Sequence, residues 1–492
     1  MYQSILHFIE KDIKKIEEVA KSLLSGEKDV DHLSQEIHDC VMNLACSLNG
    51  EIYEKIDEEI RNSLVRKKKW VVEQRNEPKS ILDICGVVKF NRTGYKNKNT
   101  GEYVYLLDKV LRFDAHQRIS LGAAARILEE TVQSNYRKGG KSASPYDAAS
   151  KQAVKRLVHN TVIDFPLKEP AKKKEPNTLY IVADEDHVSA QFWNKKGDLA
   201  KDSRGNTINT LMPKLVCVYE GIENESGEKS KNPRYRLIGK HYFSGIYKGE
   251  SENIRLWDEV RDYIHTVYDV SSLERIYIIG DGAAWIKSGV EVLENSRFVL
   301  DKYHMMKYIN ASVSHLLDHA EEVKGEIWEC INGNHKKRLQ EIYGKIFSVT
   351  EEGSKYDEVT RAFNYLLNNW SGISIRKRES ARLRCCAEGQ VSHVLSARLS
   401  SRPMGWSELG CDQMAKLRAY HWNGGKVIDL LRYQKQKKEL EESREEQAEL
   451  TKELRRRQSG WDYAEQMQAL IPGLGRREMH WMRDIINRQL GA

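Results

Sequence analysis

The chain has 492 residues, with 79 Lys and Arg against 72 Asp and Glu, and the surplus of +7 is too small over this length to define a partner by itself. An apolar fraction of 40% supplies real cores and excludes a disordered chain, and the length suits roughly two to four domains. The longest apolar runs, such as Leu215–Tyr219 and Ile276–Ile279, are far shorter than the ~20 residues of a membrane span, and Met1–Lys15 lacks a signal-peptide core, so a cytosolic protein with no membrane partner is expected.

Residues 1–75 read as a helical arm. Apolar positions recur at helical spacing in Ile5, Phe8, Ile9, Ile13 and Ile16, and again in Ile37, Val41, Leu44 and Leu48. The arm ends on the basic run Arg66–Lys69. Residues 76–112 form a β segment: Ile81–Phe90 and Tyr103–Leu107 are β-type runs, and the polar stretch Asn97–Gly101 between them predicts a hairpin. Residues 113–171 return to helical spacing in three short pieces. They lie at Leu121–Glu130, around Ser134–Arg137, and from Ser144, which suits a helix cap with Pro145 at the first helical position. The third piece carries Lys151, Lys155 and Arg156. Three short helices with a basic last one suit a helix-turn-helix, whose final helix enters the DNA major groove. Small helical bundles that touch no DNA share the pattern. Further basic clusters lie at Lys172–Lys174 and Arg455–Arg457, and local clusters neutralise phosphates better than a diffuse surplus does.

After a linker at Lys172–Pro176 the order is clearest. Leu179–Ala183 predicts a first strand that ends in acids and resumes as His187–Phe192. Leu215–Tyr219 is a second, and Tyr235–Ile238 followed by His241–Phe243 a third. A helix follows with Leu256, Val260, Ile264 and Val267 on one face, then a fourth strand, Arg275–Gly280, and a fifth, Arg297–Leu300. Three strands able to form a meander, then helix, strand, helix, strand, is the order of a ribonuclease-H-like α/β fold. Residues 172–302 are its first part, a charge-rich helical insertion occupies 303–378, and 379–429 supply its final helices, the last near 385–400. Residues 430–492 read as a charged helical tail with sparse apolar positions at Leu440, Leu450 and Leu454, either solvent-exposed or weakly self-associating. Cys40, Cys46, Cys85, Cys217, Cys330, Cys385, Cys386 and Cys411 form no CxxC pair and no zinc-finger spacing, so reduced, mostly buried thiols are expected.

Acids abound in this chain, and position decides among them. Asp184 ends the first strand and Asp281 the fourth. In this order those strands lie side by side, so their ends set two carboxylates next to each other. The third acid comes from the last helix, where Glu388 in Arg384-Cys-Cys-Ala-Glu-Gly-Gln390 lies near the start. Close carboxylates repel unless cations neutralise them, and hard divalent ions prefer oxygen ligands. Two Mg2+ (or Mn2+) ions about 3.5–4 Å apart activate the attacking oxygen and stabilise the leaving one in a displacement at phosphorus. Asp184 would bridge both ions, with Asp281 and Glu388 each holding one side. Asp186 is the rival for the first position, because alternate residues of a strand share a face. Gly280 and Gly282 permit a sharp turn around Asp281, although Asp-Gly turns are frequent in any protein.

His304, in Asp301-Lys-Tyr-His304, follows the fifth strand and is a candidate to approach a scissile phosphate, though a lone histidine is more often structural. His187 and His393 are weaker candidates. Arg398 and Arg402 are four apart and so share a helix face. They are candidates to hold a DNA backbone beside the metal site, or else ordinary helix surface.

Four segments carry a family resemblance. They are Leu179-Tyr-Ile-Val-Ala-Asp-Glu-Asp-His187, Gly280-Asp-Gly-Ala-Ala-Trp-Ile286, Phe298-Val-Leu-Asp-Lys-Tyr-His-Met-Met-Lys307 and Ala387-Glu-Gly-Gln-Val-Ser-His-Val-Leu395. Ser401–Trp406, Met414–Arg418, Gly86–Phe90 and Leu106–Asp108 extend the match over most of the chain. In these segments the chain resembles the ISLre-type insertion-sequence transposases, bacterial DDE transposases distantly similar to the Mutator-like ones. The resemblance implies a ribonuclease-H-like catalytic domain, metal-dependent cutting at element ends and joining into target DNA, with Asp184, Asp281 and Glu388 as the catalytic acids. The gap from Asp281 to Glu388, 388 − 281 = 107 residues, is similar to that of relatives with a helical insertion. The family's first strand usually has a small residue after its aspartate, whereas this chain reads Asp184-Glu-Asp186. The cysteine that Mutator-like relatives often carry before the histidine matching His304 has no counterpart here.

The implied partners are double-stranded DNA at element ends, target DNA, and further copies of the same chain, since two ends must be paired. The implied setting is the bacterial cytoplasm, at the nucleoid. Two other readings stand beside this one. One is an inactive or domesticated DNA-binding protein that keeps the fold. The other is a glycoside hydrolase with two carboxylates, which the basic helical N-terminal part fits poorly.

Overall fold

A computed structural model describes residues 2–192, 195–201, 205–226, 234–378, 387–402 and 404–457. The chain divides into two compact units, Met1–Leu157 with Val427–Ala492, and Val158–Lys426. No helix among the described residues is long and apolar enough to cross a membrane.

In the first unit the long helix Val30–Asn62, capped by the Asp29 carboxylate on the His32 N–H, packs on a β-hairpin. The hairpin starts earlier than the sequence suggests. Its strands are β1, Trp70–Asp83, and β2, Gly86–Asn97, with Asp83 opposite Gly86. The run Ile81–Phe90, expected as one strand, is therefore the tip of a hairpin. Glu73–Ser80 carries no apolar alternation, and β2 supplies its ladder partners across two register shifts. Tertiary pairing outweighs local propensity there. The expected turn at Asn97–Gly101 leads from β2 into β3, Tyr103–Val104, while Leu106–Val110 is helical rather than extended.

Helices Leu121–Gln133 and Tyr136–Lys141 lie where the sequence places them, capped by Ser120 and Asn135. The third short helix begins at Lys151, not at Ser144. Ser144 closes a turn by accepting the Asp147 N–H, Asp147 turns its carboxylate to the Val87 N–H, and Ser150 accepts the Ala153 N–H at the true helix start. Val154 of that helix is buried with Ile127 and Ala143. The helix Val427–Arg457 matches the start of the charged tail, but it is not a bare solvent-exposed rod. Leu430 is buried, Lys438 pairs with Asp114, and Arg112 pairs with Glu439. The tail beyond Arg457 and the step Arg384–Cys386 lie outside the described residues.

The second unit is built on a five-stranded mixed sheet. Its strands are β4, Thr178–Glu185; β5, Lys214–Tyr219; β6, His241–Gly245; β7, Arg275–Gly280; and β8, Ser296–Leu300, in the spatial order β6-β5-β4-β7-β8. Neighbours β4, β5 and β6 run antiparallel, whereas β4, β7 and β8 run parallel. The third expected strand splits in two. Tyr235–Ile238 leaves the sheet to pair with Gly221–Asn224, and only His241–Gly245 joins it. Val188–Ser189 also leaves, for a short pairing with Thr210–Leu211.

One sheet face carries Leu179, Ile181, Ala183, Val216, Val218, Ile276 and Ile278. It packs on Leu256, Trp257, Val260 and Ile264 of the helix Gly249–Val267. Ile309, Ile327, Leu339, Ile342, Val359 and Leu366 belong to the same buried cluster. The helical stretch therefore interrupts the sequence but not the core. On the other face Tyr180 stacks on both Tyr219 and Tyr277, and the helix Ala387–Val391 packs against β4.

Candidate active site

Strand register decides which acids meet. Ile279 of β7 stands opposite Val182 of β4 in a parallel pair. Two residues further along each chain, Asp281 and Asp184 come to neighbouring strand ends on one side of the sheet. Burial, above all, pushes the Asp184 carboxyl up to about 6. The Glu185 N–H, 2.9 Å from Oδ1, and His304 pull the other way, while Asp281 adds its repulsion.

The turn after β7 is more than a plain Asp-Gly turn. A Cβ at Gly280 would stand 2.8 Å from the Ala183 carbonyl oxygen, and one at Gly282 would stand 2.3 Å from Asn369 Oδ1 at a φ of +90°. Asp281 Oδ1 accepts the Ala283 N–H at 2.8 Å, and the Tyr365 hydroxyl donates to the Asp281 carbonyl at 2.6 Å. Gly282→Ala is therefore expected to cost about 1–3 kcal/mol and to displace Asp281. Urea unfolding reads this directly, and an unchanged midpoint with unchanged slope would show that the turn yields without strain.

His304 is held from below. Asp301, 2% exposed, caps the helix Lys302–Val313 by accepting the Tyr303 N–H, and its Oδ2 lies 3.0 Å from His304 Nδ1. That hydrogen bond raises the imidazole pKa despite partial burial, with Asp184, Asp301 and Asp281 adding to the effect. Nε2 is the ring nitrogen left over.

The three successive acids of β4 and its end have different surroundings. Glu185 accepts the Trp285 indole N–H at 3.1 Å, and Lys214 lies 4.9 Å over that ring. Asp186 is buried and accepts the Ser400 hydroxyl at 3.0 and 2.9 Å. Asp184 is the one whose charge meets Asp281 and His304. Glu388 is exposed in the first turn of the helix packed on β4. Among the described residues no group of three or more His, Cys, Asp and Glu is gathered closely enough to hold a metal ion. The pair Asp184 and Asp281 is an oxygen donor set that suits a hard divalent cation. Glu388 stands outside that pair.

Arg398 departs from the sequence expectation. The helix ends at Leu399, whose carbonyl accepts the Trp406 indole N–H, and Arg398 is buried with its guanidinium 4.8 Å over the Trp406 ring. Arg402 is exposed past the helix end, so the two arginines share no helix face. In the first unit Lys151 and Arg156 are exposed and Lys155 is half-buried. His187 and His393 are both exposed.

Sequence reasoning missed the roles of Asp301, Ser400, Tyr365 and Asn369. Asp301 had a signal, an acid one helical turn before His304 and directly after a buried strand. Tyr365 and Asn369 had none, because their contacts with the Asp281 turn span most of the helical insertion.

Fold and site together define a mixed α/β protein with paired carboxylates at adjoining strand ends, one of them with its pKa raised by burial. The chain belongs to the uncharacterised protein family UPF0236, which it matches over residues 25–437. It is 34% identical over 428 residues to a UPF0236 protein of Caldanaerobacter subterraneus subsp. tengcongensis, covering 87% of this chain and 84% of the relative. A second UPF0236 protein of that organism, under a name covering eleven loci, is 34% identical over 412 residues, 84% of this chain and 82% of the relative. Among solved structures the chain is similar to the Drosophila P element transposase strand transfer complex, with 12% identity and a TM-score of 0.22 over 66% of this chain and 84% of that one. A likeness of that size carries no argument.

Proposed function

We propose that the chain is a DDE-type transposase of a bacterial insertion sequence, which binds element ends as double-stranded DNA, cleaves a strand and joins it to target DNA. The observation that carries this reading is the approach of Asp184 and Asp281 at the ends of neighbouring parallel strands. The sheet places its third, second, first, fourth and fifth strands in that spatial order. That is the order of a ribonuclease-H-like fold, and Glu388 lies on a helix against the first of those strands. Multiple copies in one genome, as with the relative of eleven loci, suit a mobile sequence.

In this reading Asp184 and Asp281, and Glu388 once brought up to that pair, would hold two Mg2+ (or Mn2+) ions, whose chemistry when bound would be to neutralise charge on the oxygens at phosphorus. The chain's own residues do the rest. Asp301 fixes the His304 ring, so Nε2 is placed to exchange a proton with a phosphate oxygen or a leaving hydroxyl. Asp186, engaged by Ser400, ties the segment after Glu388 to the end of β4 and acts as a positioning residue. Gly280 and Gly282 bring the Asp281 backbone close to its neighbours. Lys151, Lys155, Arg156 and Arg402 contact DNA phosphates, and two element ends call for at least two copies of the chain.

The direct test incubates purified protein with DNA carrying the gene's native flanks and Mg2+ or Mn2+. Nicked and joined products whose ends map to one pair of repeats are expected. Binding to those ends without any cutting would leave the inactive, DNA-binding reading standing instead.

Replacing Lys151, Lys155 and Arg156 together by Ala should weaken binding to element ends and lower the slope of log affinity against log salt by about 2 to 3. An unchanged slope would move recognition elsewhere in the first unit.

A pH effect follows from Asp184. Its folded carboxyl lies above the ordinary 3.8, so the folded protein holds a proton that the unfolded chain releases. The metal-free protein should lose stability as pH rises from about 4 to about 6. A cation that takes the place of that proton should then raise the melting temperature more at pH 7.5 than at pH 5. Equal Mn2+ shifts at both pH values would separate the cation from Asp184.

A further inference from the structure

We propose that a cleft beside the Glu388 helix binds an unpaired base of a DNA strand. Its biological meaning rests on the transposase reading, but its chemistry stands on separate residues. The cleft, of about 540 Å3, lies between the pairing of Gly221–Asn224 with Tyr235–Ile238, strand β6, the Ala387–Val391 helix with its continuation, and the end of the helix Glu408–Trp422. Such a volume falls within the usual range for small-ligand sites, ~300–1,000 Å3.

The walls combine rings with a cation. Tyr235, Lys240, Tyr242, Gln390, His393 and Trp422 line the space. Tyr235 is 45% exposed and Trp422 40%. The Lys240 ammonium lies 5.7 Å from the Tyr242 ring centroid and 5.8 Å from that of Trp422, so one positive charge and two aromatic rings converge. The acids nearby, Glu223 and Glu225, are both paired with Arg236. The Tyr242 hydroxyl donates to Gln390 Oε1 at 2.5 Å, which leaves the amide NH2 of Gln390 as a donor. A nucleobase offers what these groups take up. It has a π face for a ring, carbonyl or ring-nitrogen acceptors for an amide, and a linked phosphate for the ammonium.

Position links the cleft to the carboxylates. Tyr242 stands opposite Cys217, and Cys217 opposite Val182, which is two residues before Asp184 on the same face. Gln390 follows Glu388 by two residues. His393 lies on a π turn, Ser392–Ser396, in the continuation of that helix, and such widened turns often mark functional positions.

The test uses full-length protein and fluorescence anisotropy with three labelled probes: a short oligothymidylate, an abasic strand of equal length, and a blunt duplex of random sequence. Wild type should bind the oligothymidylate more tightly than the abasic strand. Trp422→Ala should weaken the oligothymidylate by about 5- to 100-fold, leaving the abasic strand and the duplex unchanged. Trp422→Phe should recover most of the loss, which separates stacking from misfolding. Equal wild-type affinity for the oligothymidylate and the abasic strand overturns the proposal, as does undiminished oligothymidylate binding by Trp422→Ala. If the binding pattern holds while no preparation cuts DNA, the cleft stands and the transposase reading falls. If DNA is cut and the pattern fails, the cleft falls alone.

Discussion

Asp281→Asn is expected to lower strand cleavage by about 10^3-fold or more while leaving the fold and binding to element ends intact. The amide keeps the shape of the turn, because its oxygen can still accept the Ala283 N–H that Asp281 Oδ1 accepts now. What it loses is the charge that opposes Asp184 and that, in the proposed mechanism, would draw a cation. Stabilisation of transition-state charge by such a cation is worth several kcal/mol, and about 4 kcal/mol corresponds to roughly 10^3-fold. Asp184→Asn should fall in the same direction for cleavage, with an opposite sign for stability. Its buried carboxyl is costly to ionise, so the metal-free Asn variant should be more stable at neutral pH. Single-turnover cleavage of a labelled element end measures the first effect. Activity retained in Asp281→Asn would remove that residue from the site.

Trp257→Ala carries the largest expected cost in stability, about 3–5 kcal/mol. Trp257 is fully buried at the centre of the core shared by the sheet and the helix Gly249–Val267. Its indole N–H donates to the Trp285 carbonyl at 2.7 Å, and the Trp285 indole donates in turn to Glu185. Truncation leaves a cavity and takes from the Trp285 carbonyl one of its two donors, leaving only the Ser288 hydroxyl in the segment that follows Asp281, so cleavage should fall together with stability. Trp257→Phe should restore most of the packing and lose about 1 kcal/mol through the missing hydrogen bond. Urea unfolding of both variants reads the difference. A loss below about 1 kcal/mol for the Ala variant would show that the surrounding helices close over the gap.

The parts of this molecule legible in its sequence are those where burial leaves a pattern. Parallel strands covered on both faces read as continuous apolar runs, which is why β4 and β7 could be placed with their terminal acids. The helix Gly249–Val267 was equally plain from its spacing. Strand β1 was not, because Glu73–Ser80 has no apolar alternation and depends on a partner strand. Ser144 looked like a helix cap and closes a turn instead, since Asp147 is drawn away to the Val87 N–H.

Within the candidate site, the approach of Asp184 and Asp281 follows from strand order, which sequence can suggest. The assignments of Asp186 to Ser400 and of Arg398 to Trp406 depend on how the last helices cross the sheet. A charged side chain carries no sequence mark of burial. The Tyr365 hydroxyl reaches the Asp281 carbonyl from 84 residues away, and only the shared core of sheet and helical insertion makes that contact.

The most direct measurement is excision and new-insertion mapping in cells carrying the gene within its native flanking DNA, wild type beside Asp281→Ala. Loss of both event types in the variant, with wild-type junctions mapping to one pair of terminal repeats, is the predicted result. Equal excision and insertion from the two would contradict catalysis through this carboxylate.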